Sequence, residues 1–257
     1  MSFSRTLAVL VSVSALLAGC AHHAARPPGP STSAGKPAAA PAPPACGDVT
    51  TLPVRDKLAQ LLMVGVKNAD DARSVVDGYH VGGIFIGSWT DLSIFKGPLA
   101  DIAAKAGPLP LAVSVDEEGG RVSRLRSLIG EAPSPRQLAQ TQTVVQVHDL
   151  AAERGKKMRE LGITIDFAPV VDVTDATSGV IGDRSFGGDP NTVIAYAGAY
   201  AQGLREAGLL PVLKHFPGHG HGSGDSHTGG VVTPPLSDLQ NLDLVPYRTL
   251  ITVAPVA

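Results

Sequence analysis

The chain has 257 residues, a net charge of −2 and a charged fraction of 17 %. That length accommodates one large domain or two small ones, and no basic patch or acidic tail marks a nucleic-acid partner or a disordered interaction arm. Aromatic residues are scarce at 4 %, while 29 glycines and 21 prolines favour many short βα and αβ loops over an aromatic-rich sandwich core.

The first twenty residues stand apart. Arg5 precedes an apolar run over residues 7–18 that is too short to span a bilayer and has the layout of an export signal. It ends in Leu17-Ala18-Gly19-Cys20, which resembles the bacterial lipobox. That resemblance implies that Cys20 is lipidated and becomes the first residue of the mature protein, on the extracytoplasmic face of the cell membrane. Residues 21–45 are mostly Ala, Pro, Gly, Ser and Thr without a periodic apolar face, so they form an extended, semi-rigid tether. The expected organisation is a signal peptide over 1–20, a linker over 21–46 and a folded domain over 47–257. Cys46 closes the linker. It is either a free thiol or the partner of a cysteine outside this sequence.

From residue 47 onward, short apolar runs alternate with helix-like stretches. The runs cover residues 58–66, 81–86, 109–115, 163–171, 210–215 and 251–257, the first mixing helix and strand character. Residues 143–161 carry Val144, Val147, Ala151 and Met158 at helical spacing. Residues 192–207 do the same through Ile194, Ala197, Tyr200, Ala201 and Leu204, and stop at Gly208. The strands are continuous apolar runs, as in a parallel sheet covered on both faces. No GxGxxG turn supports a dinucleotide fold. Instead Asp116 to Glu118, Asp172, Lys214 and His215 fall at the carboxyl ends of strands, the face where a barrel keeps its active site. A (β/α)8 TIM-type barrel usually needs about 250 residues. The expectation is therefore an incomplete barrel with about six of its eight βα units.

The segment richest in chemistry is Lys214-His215-Phe216-Pro217-Gly218-His219-Gly220, followed by Asp225-Ser226-His227. A strand delivers Lys214 and His215 to the rim, Pro217 and Gly218 turn the chain, and a glycine-rich loop follows. Four histidines, a lysine and an aspartate within fourteen residues exceed what packing alone requires. Histidine is a common metal ligand. However, a lysine beside the cluster and the glycine-rich spacing argue against a rigid metal shell, so neither metal nor cofactor is expected.

This segment resembles glycoside hydrolases of family 3, in their bacterial β-N-acetylglucosaminidase (β-hexosaminidase) branch. Three further segments agree, in the same order. They are Ser114-Val115-Asp116-Glu117-Glu118-Gly119-Gly120-Arg121-Val122 with Arg124, then Ile165-Asp166-Phe167-Ala168-Pro169-Val170-Val171-Asp172-Val173, then Ile181-Gly182-Asp183-Arg184-Ser185-Phe186-Gly187. The resemblance implies that His227 is the acid/base, with Asp225 as its partner. It also implies that Asp116, Arg124, Arg184, Lys214 and His215 bind sugar. Breaking a glycosidic bond needs an acid on the leaving oxygen, and an imidazole can serve first as acid and then as base. Neighbours on a strand point to opposite faces, so Glu118 is expected to support the site and Glu117 to face outward.

In the resembling family the nucleophile is an aspartate on a later strand, and no candidate for it is found before Ala257. A retaining mechanism needs that second carboxylate at roughly 5 Å from the first group. The expected activity is retaining exo-hydrolysis of terminal β-linked N-acetylglucosamine from peptidoglycan fragments, in a chain that is itself inactive as it stands. The alternatives are a phosphorolytic enzyme and a surface lipoprotein that binds muropeptides without cleaving them. Expected partners are the glycan and, through Cys20, the membrane, with no nucleic acid.

Overall fold

A computed structural model describes residues 49–257 other than Pro108. The export signal, Cys20, the linker and Cys46 lie outside the described residues. In chain order the strands are β1 (Met63–Val66), β2 (Gly83–Ile86), β3 (Ala112–Val115), β4 (Glu117–Gly119), β5 (Val122–Ser123), β6 (Ile165–Asp166) and β7 (Leu210–Pro211). The helices are α1 (Val54–Ala59), α2 (Ala69–Tyr79), α3 (Pro98–Lys105), α4 (Arg126–Ile129), α5 (Pro135–Thr141), α6 (Val144–Glu160), α7 (Pro190–Glu206), α8 (Leu236–Asn241) and α9 (Val245–Leu250).

Five strands pair in parallel in the order β1-β2-β3-β6-β7, and β4 and β5 make a separate antiparallel hairpin. Consecutive neighbours joined through helices are what a barrel wall requires. The run at 58–66 divides into the end of α1 and the strand β1. The run at 251–257 turns first and then lays Val256 beside Leu213, with the Ala257 N–H donating to the Leu213 carbonyl at 2.8 Å. The fold is thus parallel α/β, an arc of a (β/α)8 barrel wall.

One face of the sheet is closed by helices. Val66, Ile84, Ile86, Val113 and Val115 share a single core with Val76, Leu99 and Ile102. The alternate positions Met63, Gly65 and Phe85 line the opposite, concave side, where Met63 and Gly65 are exposed. α6 starts on a capping box, in which Thr143 accepts from the Gln146 N–H and Gln146 returns the bond to the Thr143 N–H. α7 starts two residues before its expected position because Asp189 caps Thr192 and Pro190 occupies the first turn. The two helices touch at glycines. A Cβ on Gly203 would lie 2.4 Å from the His148 carbonyl oxygen, and one on Gly155 would lie 2.6 Å from the Ala207 Cβ. Only glycine permits that approach.

Candidate active site

Strand ends and the loops that follow them bring six charged or titratable side chains into one chain of contacts. Asp116 follows β3, and Lys214 is held by its bridge to Val170. The Lys214 ammonium sits between two carboxylates, 2.5 Å from Asp116 Oδ1 and 2.6 Å from Glu118 Oε1. Arg184, on a short 3-10 turn over Gly182–Arg184, donates Nε and Nη2 to the two Glu118 oxygens at 2.8 Å each. Its Nη2 also lies 3.0 Å from His215 Nε2. A guanidinium only donates, so Nε2 accepts and the ring proton sits on Nδ1. Nδ1 in turn faces Asp172 Oδ2 at 2.6 Å.

Exposure divides this cluster into support and contact surface. Glu118 and Asp172 are sealed off and Lys214 is nearly so, whereas the side chains of Asp116 and His215 keep 25 % and 32 % of their surface open. A ligand arriving at the rim therefore meets Asp116 and His215 first. Burial alone would raise the Glu118 carboxyl, but the Arg184 hydrogen bond and the Lys214 and Arg184 charges outweigh it and hold the carboxyl below its usual range. Arg124 is half-buried, and its Nε is buried without a partner. Among the described residues it enters no ion pair.

Glu117 does not face outward. It is fully buried and meets Arg154 Nη2 at 2.7 Å, the Ser123 hydroxyl at 2.5 Å and the Arg124 and Leu125 N–H groups at 2.7 and 2.8 Å. Strand alternation misplaces it because the chain leaves the sheet after Val115 and folds back through the β4–β5 hairpin, which turns Glu117 inward. Glu118 occupies the supporting position expected of it. Beside Glu117, the Asp166 carboxylate accepts the Glu117 N–H at 3.0 Å, while its second oxygen is buried without a partner. Desolvation pushes that carboxyl well up, past the opposing effect of the Glu117 N–H. Tyr200 donates to the Glu117 carbonyl at 3.3 Å. Sequence reasoning passed over Arg154, yet a signal existed. It stands on the apolar stripe of α6, between Ala151 and Met158, where a charge needs a buried partner.

Two arginines clamp the long connection from β6 to α7 that presents Arg184. Arg121 pairs with Asp183 at 2.9 Å and donates Nη2 to the carbonyls of Gly179, Val180 and Ile181 at 2.8–2.9 Å. Arg136 donates to the carbonyls of Thr174, Asp175 and Ser185 from the other side. The glycine-rich loop after β7 is tied at its base. The His219 N–H donates to Asp172 Oδ1 at 2.7 Å, and His221 Nδ1 lies 3.0 Å from Asp243. Farther out, His227 bonds Asp225 Oδ1 through both its N–H and its Nδ1, at 2.9 and 2.8 Å. The backbone N–H and then the ring of His227 hold the Asp225 carboxyl below its usual range. The His227 side chain is 85 % exposed. Among the described residues, no hydrogen bond or ion pair joins this dyad to the Asp116–His215 cluster. No group of three or more His, Cys, Asp or Glu among the described residues is arranged to hold a metal ion.

The chain is similar to known proteins. Residues 53–257 match the model of the glycosyl hydrolase family 3 N-terminal domain. The chain is 67 % identical over its whole length to a β-hexosaminidase, LpqI, of Mycobacterium tuberculosis, of which it covers 68 %. A solved glycosyl hydrolase family 3 member from Mycobacterium smegmatis superposes with a TM-score of 0.80 at 71 % identity, covering 81 % of this chain and 64 % of that one. A family 3 β-N-acetylglucosaminidase from a Paenibacillus species gives a TM-score of 0.73 at 33 % identity, covering 80 % of this chain and 41 % of that one. The chain thus spans less than two thirds of these solved proteins.

Proposed function

Because this chain belongs to glycosyl hydrolase family 3, we propose that it serves the retaining exo-hydrolysis of terminal β-linked N-acetylglucosamine from peptidoglycan fragments. The observation that carries the reading is the Asp116–Lys214–Glu118–Arg184–His215 chain at the strand ends, with a histidine–aspartate dyad on the following loop. Asp116 and His215 contact the sugar hydroxyls, with Arg124 available to the same rim. Glu118, Lys214 and Arg184 fix their positions, and Lys214 and Arg184 add donors where the ligand reaches them. His227 protonates the leaving oxygen and later draws a proton from water, while Asp225 accepts from Nδ1 and so keeps Nε2 as the working nitrogen.

A retaining reaction also needs a carboxylate to attack the anomeric carbon, roughly 5 Å from the acid. That carboxylate is expected on a later strand, as the family resemblance implies, so the hydrolytic proposal concerns a protein of the relatives' length. The residues described here supply the binding and proton-transfer half. Turnover of a chromogenic N-acetylglucosaminide by that longer form, lost in His227→Ala, tests the reading. The 257-residue chain is expected to bind N-acetylglucosamine without turning the substrate over. Turnover by it would move the nucleophile to a residue before Ala257.

A second reading is a surface protein that binds muropeptides without cleaving them. The exposed dyad, unconnected to the sugar cluster, favours it for the 257-residue chain. Both readings share an anchor, motivated by Leu17-Ala18-Gly19-Cys20 and the tether behind it. Cys20 carries the lipid and holds the domain at the extracytoplasmic face of the membrane. Cys20→Ala is expected to release the protein into the soluble fraction, and unchanged membrane fractionation would remove the anchor from the proposal.

A further inference from the structure

The only tryptophan of the chain, Trp89, is 58 % exposed. Its place is built rather than incidental. Thr90 is buried, donates its hydroxyl to the Val66 carbonyl at 2.6 Å and accepts from the Gly87 N–H at 3.0 Å, which locks the ends of β1 and β2 together and fixes the turn carrying Trp89. The indole lies over two glycines. A Cβ on Gly87 would come within 2.5 Å of the ring and one on Gly65 within 3.0 Å. Phe85 meets the ring from the side, centroids 5.9 Å apart, and Phe167 meets Phe85 at 6.0 Å. Side chains are missing at two positions where they would displace the indole, yet the residue stays exposed.

Register places that face beside the sugar cluster. Gly65 pairs with Phe85 and Phe85 with Ser114, so these three share the concave side of the sheet. Gly87 and Asp116 are the first residues past the carboxyl ends of β2 and β3, whose last residues Ile86 and Val115 pair. The indole over Gly65 and Gly87 and the Asp116 carboxylate therefore stand at the carboxyl ends of neighbouring strands, whose backbones run about 5 Å apart. A carboxylate on one side and an aromatic plane on the other complement a sugar, whose hydroxyl edge is polar and whose C–H face is apolar. Ligand sites typically combine an aromatic wall with a few fixed polar groups.

We propose that Trp89 is a substrate-contacting, specificity-determining residue, its indole stacking on the C–H face of the N-acetylhexosamine that Asp116 holds by its hydroxyls. This inference rests on the sugar-binding reading above. It explains an exposed indole seated on two glycines, which neither the motif residues nor the core accounts for.

The experiment uses the single tryptophan as its own reporter. Titrating the 257-residue protein with N-acetylglucosamine is expected to shift the emission to shorter wavelength, with the same Kd that calorimetry gives. Trp89→Ala is expected to weaken calorimetric binding about tenfold and Trp89→Phe no more than about threefold, since most of the apolar contact returns with the phenyl ring. Gly87→Ala keeps the fluorophore but lifts it from its seat, and should weaken binding as Trp89→Ala does. Calorimetric binding by the wild type with unchanged emission, or Trp89→Ala binding as tightly as the wild type, overturns the stacking role and leaves the sugar site standing. Absence of any calorimetric binding by the wild type overturns the sugar-site reading, and this inference with it.

Discussion

Arg184 grips Glu118 with two parallel 2.8 Å hydrogen bonds, and Lys214 takes the same carboxylate from a third direction at 2.6 Å. One sealed carboxylate thus pairs with two cations at the base of the rim, and Asp116 supplies Lys214 with a second carboxylate. Removing one partner of a buried pair leaves charges uncompensated and costs about 3–5 kcal/mol. Glu118→Ala is expected to lose stability in that range by urea unfolding. Glu118→Gln should lose less, because the amide still offers one acceptor. A Glu118→Ala midpoint equal to the wild type would show that the cations find other partners.

Two carboxyls give opposite pH dependences. The Glu118 carboxyl is held low in the fold, so its contribution is present above its unfolded value and is lost as pH falls through the folded one. Asp166 is held high, chiefly by burial, so it costs nothing below its unfolded value and penalises the fold as pH rises above it. Asp166→Asn keeps the acceptor for the Glu117 N–H and removes the titration. Its melting temperature relative to wild type should rise as pH increases above the usual carboxylate range. A difference independent of pH would show that Asp166 is already ionised in the fold.

The arginine clamps should control affinity from outside the sugar contact. Arg121 ties four points of the connection before Arg184 and Arg136 ties three more. Arg121→Ala is expected to weaken N-acetylglucosamine binding by about five- to tenfold, about 1 kcal/mol, which is the net contribution of one hydrogen bond. Arg121→Lys should not restore affinity, because an ammonium cannot reproduce the fork. Full restoration by lysine would reduce the clamp to a charge effect.

In a form carrying the nucleophile, His227→Ala should slow substrates with poor leaving groups by about 10²–10⁴-fold. Activated aryl glycosides should suffer less in glycosylation, because their leaving group needs little protonation. Asp225→Ala should show the same ordering more weakly. Equal losses for both substrate types would assign His227 to binding instead of proton transfer.

Much of this was legible in the sequence. Five of the six apolar runs supply the strands of the parallel sheet and the sixth adds one bridge at its edge, because a strand covered by helices must be apolar throughout, and the cluster at their ends followed from where those runs stop. Glu117 was not legible. A hairpin between Asp116 and Arg124 breaks the two-residue alternation, and nothing in the string Glu117-Glu118-Gly119-Gly120 announces which carboxylate turns inward. Asp172 was visible as a polar strand end, but its bond to His215 joins residues 43 apart and only the fold supplies it. Trp89 carried no periodic signal, since its significance lies in two glycines on neighbouring strands.

The contact between α6 and α7 sets a dimension that the rim depends on. Arg154 reaches from one helix and Tyr200 from the other, and both close on Glu117, the residue next to Asp116. Gly203 and Gly155 fix how far apart those two hands stand. A single methyl group at Gly203 would touch no sugar and no charged residue of the site. It would nevertheless act as a shim, spreading the grip and tilting the Asp116 carboxylate against its ligand, so this outer layer has less freedom to drift than its distance from the chemistry suggests.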